Sequence, residues 1–425
     1  MAESIERPKA EDVYSIAPKY LAEFRCVGSA CRDTCCAGWR VTIDKSTYKK
    51  YQRVKDAPLR TLIEAHIKPV RSVDRSEGNF ARIVMDKDGA CPFLEESLCK
   101  IQKTAGEGML STTCATYPRV TNVVDGISST FLTPSCPEAS RLMLEREDAL
   151  DLDVVKMSVD ASTRSSGGRR WGGRRWGLSV DAGKLLHTVF LELVRVRGFP
   201  VWQRLSAVVL FGHLVHNALQ ASDGVRHAET LIGTVAGEQS LIGIVSAALG
   251  LPGNHKAQFD VFGGLWRANA HRFVGGSALQ RAVVRDIADE GGSEPDQTLR
   301  LESVTLDRYL KGLSVLKEFY ETNEHMMTNY LVNELARNSF PMDNGDASLW
   351  RECQSVASRY GILRFMLALR AERCGAAFGK AEFADTIVVF SKRMEHNANF
   401  SSTIKACFEA AKIDEPARVL KLLRE

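Results

Sequence analysis

The chain has 425 residues, of which 44% are hydrophobic and 25% charged, and a formal charge of +4. That length exceeds what one hydrophobic core usually serves, so two domains, or one with a large helical extension, are expected. The small net charge argues against a dedicated nucleic-acid binder, whose phosphate contacts need a strongly basic face.

No apolar run of about 18 residues occurs, and the segment following Met1 has no apolar core of the kind a signal peptide needs. Both features predict a cytoplasmic protein without a membrane segment. A reducing cytosol keeps thiols free, so dense cysteine spacing there signals metal or redox chemistry and not a disulfide framework.

Eight of the eleven cysteines lie between Cys26 and Cys136. Short β-like runs, Trp39 to Ile43 and Ala81 to Met85, alternate there with Gly- and Pro-containing turns, as expected of a loop-rich unit organised around a metal. A tandem Gly-Gly-Arg-Arg-Trp repeat follows, ending at Trp171 and Trp176. Glycine this dense predicts a mobile linker over Ala161 to Gly177, basic and aromatic enough to be weighed as an arm for an acidic partner.

From Leu185 onward apolar residues recur at helical spacing (Leu185, Val189, Leu193 and Val196, then Trp202, Leu205 and Val209). The pattern returns over Leu301 to Arg337, Leu349 to Arg373, Phe383 to Met394 and Ile404 to Leu423. Asp346 is the expected N-cap and Gly375 the expected stop of the Leu349 helix. The prediction is therefore a mainly α chain: a cysteine-rich metal-binding unit over 1–160, a linker over 161–183 and an all-helical domain over 184–425. No strand followed by a glycine-rich loop of the dinucleotide-binding kind is visible.

The candidate metal ligands are Cys26, Cys31, Cys35, Cys36, Cys91, Cys99, Cys114 and Cys136. Thiolates favour zinc and iron–sulfur clusters. Eight thiols allow one four-iron cluster with spare cysteines, two four-thiolate sites, or structural zinc. Adjacent Cys35 and Cys36 rarely point at one metal atom without strain, so the pair is expected to split its roles.

Tyr117, Trp39 and Phe93 could form an aromatic wall for a cationic amine, or simply pack. Arg119 is suited to bidentate binding of a carboxylate, or to a surface ion pair. His396, between Glu395 and Asn397, is the candidate base. Asn329 and Asn333 share one helix face and flank Tyr330, and the three are candidates for cofactor binding, with bridging between helices as the alternative.

The run Cys26 to Cys36 with Trp39, then Cys91-Pro92-Phe93-Leu94, Cys99, Cys114 with Tyr117-Pro118-Arg119, and Cys136-Pro137-Glu138 resembles the flagellin lysine N-methylase family. Its first half is also similar to small cysteine-rich proteins described as zinc- or iron-chelating. Asn329 to Asn333, Phe340-Pro341 and Glu395-His396-Asn397 resemble less specific helical motifs of the same methylase family, whereas the Gly-Gly-Arg-Arg-Trp repeat has no counterpart in it. The resemblance implies S-adenosylmethionine as methyl donor, a 4Fe-4S cluster, and flagellin as acceptor in the cytosol. The spacing of a radical-type Cys-x3-Cys-x2-Cys motif is not met, since the third position after Cys31 and Cys35 falls on Gly38. A cluster that positions the donor is therefore the favoured expectation. The alternative is an iron–sulfur or zinc module whose helical half docks a partner.

Overall fold

The computed structural model describes residues 12–37, 41–86, 89–125, 127–158, 170–171, 175–248, 252–291, 298–342, 348–395 and 400–425. Trp39, Asp346, His396, Asn397 and most of the Gly-Gly-Arg-Arg-Trp repeat lie outside them.

The chain is mainly α, as expected, with its longer strands confined to the N-terminal part. At the centre, helix Leu306–Arg337 packs along helix Leu349–Cys374. The second of these is buried on nearly every face, and its buried polar side chains are bonded, Gln354 to the Ile413 carbonyl and Arg364 to the Leu422 and Leu423 carbonyls. Helices Val201–Leu219, His255–Ala268 and Ala278–Ile287 surround it. The Leu349 helix ends at Gly375, whose φ of 52° lies in the left-handed region that glycine tolerates. Its cap is not Asp346: the side chain of Ser348 accepts the Arg351 N–H. Ser348 directly precedes the first helical residue, the position from which a short hydroxyl side chain reaches the free amides.

A five-stranded sheet lies against the Leu306–Arg337 helix, ordered Arg170–Trp171, Arg119–Val124, Ile127–Leu132, Asp12–Pro18 and Leu152–Ser158. Tyr20 and Asn333 join sheet to helix. The Tyr20 hydroxyl donates to Asn333 Oδ1 at 2.6 Å, and Asn333 Nδ2 donates to the Leu132 carbonyl at 3.0 Å. Asn122 Nδ2 donates to the Arg337 carbonyl at 2.8 Å.

Two hydrophobic clusters result. The larger joins residues around Tyr20, Phe131 and Met143 to the helices from Leu178 to Leu423. The smaller comprises Val41, Ile43, Tyr51, Val54, Leu59, Ile63, Ile67, Ala81, Ile83, Cys91, Phe93 and Ile101, with Cys36, Cys99 and Cys114 packed against it.

Most of the linker expected over Ala161 to Gly177 lies outside the described residues, and those described in it are anchored. Arg170–Trp171 pairs in parallel with Val123–Val124. Arg175 donates to the Pro341 carbonyl, lies 3.3 Å from the buried carboxylate of Glu352 and covers the Trp176 ring at 4.3 Å. An arginine so buried must be paired, and the helical core provides the pairing that glycine content alone does not reveal. Among the described residues no single helix is long and apolar enough to cross a membrane, although the bent pair Gly224–Thr234 and Glu238–Ala247 passes that test together.

Candidate functional site

The thiols divide between the two clusters. Cys91 is buried in the smaller one, with half-buried Cys36, Cys99 and Cys114 against it. Cys136 is buried in the larger one, at the start of helix Pro137–Glu145. Cys31 is half-buried, Cys26 and Cys35 are exposed, and none of the eight is in a disulfide.

Backbone bonds set their positions. The Cys91 N–H donates to the Cys36 carbonyl at 2.7 Å, and the Cys36 N–H donates to Thr34 Oγ1 at 3.0 Å. Cys114 sits in helix Thr112–Thr116, which Ser111 caps by accepting the Cys114 N–H. That short helix is tied down by Asp44, whose Oδ2 accepts from Thr112 Oγ1 at 3.0 Å while Oδ1 caps helix Lys45–Tyr51 through the Thr47 N–H at 2.8 Å.

Burial alone would raise the Asp44 pKa, but bonds from Ser46, Thr47 and Thr112 reverse this and hold the carboxyl below the usual carboxylate range. A depressed carboxyl contributes stability that is present above the ordinary carboxylate pKa of about 4 and is lost as pH falls through the folded value. Asp44→Ala is therefore expected to cost about 1 to 2 kcal/mol in urea unfolding at neutral pH, as loss of a cap does, with the difference from the parent shrinking as the pH is taken well below 4.

The thiols also sense one another's charge. Cys36 has the thiol of Cys35 as hydrogen-bond partner, and this bond, then burial and the proximity of Cys91 and Cys99, pushes its pKa up. The same bond, with the Lys392 ammonium nearby, draws Cys35 down against the opposing effect of burial. Burial raises Cys91 to about 11 and Cys114 and Cys136 to about 12. Among the described residues no three Cys, His, Asp or Glu side chains close on one point in metal-holding geometry. In donor type and grouping, Cys36, Cys91, Cys99 and Cys114 nonetheless fit a thiolate-bound metal or cluster, being soft ligands gathered at one small core.

The remaining candidates fall in different places. Phe93 is a core residue at 1% exposure, so packing, and not an aromatic wall, is what the structure gives it. Tyr117 packs against the larger cluster, its hydroxyl 3.1 Å from Ser135 Oγ. Burial lifts its pKa well above the usual value, which suits a neutral donor and not a base. Arg119 lies over the Phe24 ring at 5.1 Å, and burial, then the charge of Arg25, lowers its pKa while Cys136 and Cys26 oppose this. The side-chain amides of the Asn329 face make the contacts between elements that were the alternative to cofactor binding. Asn329 Nδ2 donates to the carbonyls of Met143 at 2.9 Å and Arg146 at 2.7 Å, closing the end of helix Pro137–Glu145, while Asn333 is committed to Tyr20 and Leu132. Tyr330 between them is fully buried.

Sequence reading missed the residues that hold the cysteine loop. Asp33 is buried and bonded to Lys392 and Gln280, and Arg32 pairs with Asp385 at 2.7 Å. The one local signal was that Arg32 and Asp33 lie inside the cysteine run.

The fold and the thiols together define a predominantly helical protein whose C-terminal half grips a cysteine-rich N-terminal part. Residues 187–422 match the family model described as the FliB lysine N-methylase C-terminal domain. The chain belongs to that family. Over 137 residues it is 38% identical to the lysine-N-methylase of Salmonella typhimurium and equally to that of Salmonella choleraesuis. That stretch covers 32% of this chain and 33% of each relative, so the match spans about a third of the length of these proteins. It is 37% identical to the flagellar biosynthetic protein FliU of Salmonella muenchen, again over 32% of this chain but 79% of the relative. No solved structure matches.

Proposed function

We propose that the chain is a protein-lysine N-methyltransferase that uses S-adenosylmethionine to methylate flagellin in the cytoplasm, and that its cysteines hold a 4Fe-4S cluster. The observation that carries this reading is the match of more than half the chain to a lysine N-methylase domain, joined to relatives whose names refer to lysine methylation and to the flagellum.

The reaction is a displacement. The lysine Nζ lone pair forms a bond to the methyl carbon, the carbon–sulfur bond breaks with its electron pair going to sulfur, and the product amine releases a proton. An ammonium has no lone pair, so the site must desolvate the lysine or accept its proton. We assign the proton-accepting role to His396. Tyr117 serves as a neutral hydrogen-bond donor beside the thiols, a role its raised pKa permits. Arg119 is the cation available to a donor carboxylate, charged despite its burial.

Cys36, Cys91, Cys99 and Cys114 are the proposed cluster ligands, and the thiol of Cys35 is hydrogen-bonded to that of Cys36. When bound, the cluster would supply a Lewis-acidic surface that orients the donor.

The test is release of S-adenosylhomocysteine by anaerobically purified protein. Release that requires flagellin supports the reading. A redox-active chain that neither binds S-adenosylhomocysteine in calorimetry nor forms it would favour an iron–sulfur module with a partner-docking helical half.

A further inference from the structure

We infer that Lys392 is a positioning residue that locks the segment between Cys31 and Cys36 to the helical half and places a buried cation beside its thiols. Lys392 lies in the π-helical turn Ser391–Glu395, which extends helix Lys380–Phe390. Widened turns of this kind are rare and recur at functional sites. Its ammonium is 2.5 Å from Asp33 Oδ2 and 2.8 Å from the Thr34 carbonyl. The Asp33 side chain is 0% exposed and that of Lys392 10%.

The loop itself has little regular structure beyond the short turn Gly28–Ala30. It is held from outside at three successive residues, Arg32 by Asp385, Asp33 by Lys392 and Gln280, and Thr34 by Lys392. Inside the loop, Asp33 Oδ1 accepts the Thr34 N–H at 2.7 Å and Thr34 Oγ1 accepts the Cys36 N–H. A chain of bonds therefore runs from Lys392 to the backbone of Cys36. Burying an ion pair contributes little net stability, because desolvation offsets the attraction, yet it fixes one geometry where several compete. Lys392 thereby makes the cysteine loop depend on a helix more than 350 residues away in sequence.

The test uses the full chain with Lys392→Met, Lys392→Arg and the double variant Asp33→Asn/Lys392→Met. The double variant leaves neither charge buried alone, so it folds even if Lys392→Met does not. In metal-free protein, amide hydrogen exchange of the 31–36 segment should accelerate on the order of tenfold in the double variant, with the central helices unchanged and Lys392→Arg close to the parent. The second readout rests on the proposed cluster: in iron-loaded Lys392→Met the midpoint potential should fall, since removing a nearby cation disfavours adding an electron, and the paramagnetic spectrum of the reduced cluster should change. Parent-like exchange of the loop in the double variant, or a cluster in Lys392→Met with an unmoved potential and spectrum, overturns the inference. A parent protein that takes up no iron would instead refute the cluster, and the exchange measurement would still decide the role of Lys392.

Discussion

Serine at Cys36, Cys91, Cys99 or Cys114 is expected to strip iron from the protein and abolish flagellin methylation together. These thiols gather at the smaller core, and oxygen is a hard, poor substitute for thiolate on iron. Loss of even an outer partner of a metal site commonly costs 10- to 100-fold in affinity, so loss of a ligand should cost at least roughly 100-fold. Cys407→Ser is the control. That residue lies in helix Phe400–Ala410, remote in sequence from the cysteine run, and should keep both iron and activity. Iron and sulfide analysis, with helical circular dichroism to verify folding, separates ligands from packing cysteines. A folded variant without iron that methylates flagellin at the parent rate would show the cluster to be structural.

Gly312→Ala is expected to be among the most destabilising single-methyl changes in the chain. A Cβ at Gly312 would stand 1.8 Å from the Ala368 carbonyl oxygen and 2.4 Å from its carbon. Both are backbone atoms of helix Leu349–Cys374 and cannot rotate away, so the two central helices would have to part. Overpacking a core costs about 1 to 3 kcal/mol, and displacement of a helix that touches most of its neighbours places this change at or above the upper end. The better helix propensity of alanine returns only about 1 kcal/mol. Urea unfolding should show a lower midpoint by about 2 kcal/mol or more, against a total of roughly 5 to 15 for a typical domain. An unchanged midpoint would mean that these helices are not in backbone contact at Gly312.

Much of the helical half is legible in sequence because its signals are local. The stop at Gly375 follows from the left-handed backbone that glycine accepts, and the 3.6-residue spacing places the Leu349 helix within a residue of its observed end. Asn329 and Asn333 were legible as one polar face, but not what that face does. Their partners, the Met143 and Leu132 carbonyls, lie 186 and 201 residues earlier, and no periodicity encodes such a distance. The Asp33–Lys392 pair, 359 residues apart, was hidden for the same reason. Glycine density predicted a loose arm, whereas Arg175 next to it carries a charge that the fold buries against Glu352. The cysteine run raised the expectation of soft-ligand chemistry from composition alone. Its division between two cores depends on tertiary packing, which places Cys136 with Tyr20 and Phe131 and Cys91 with Val41 and Phe93.

The central claim, that this chain methylates lysine, is tested most directly by peptide-resolved mass spectrometry of flagellin. Unmodified flagellin is incubated anaerobically with the purified chain and S-adenosylmethionine bearing a deuterated methyl group. The account predicts the labelled methyl on lysine Nζ, dependent on the chain and absent when the donor is omitted. Flagellin that stays unlabelled in the presence of folded, iron-replete protein would contradict it.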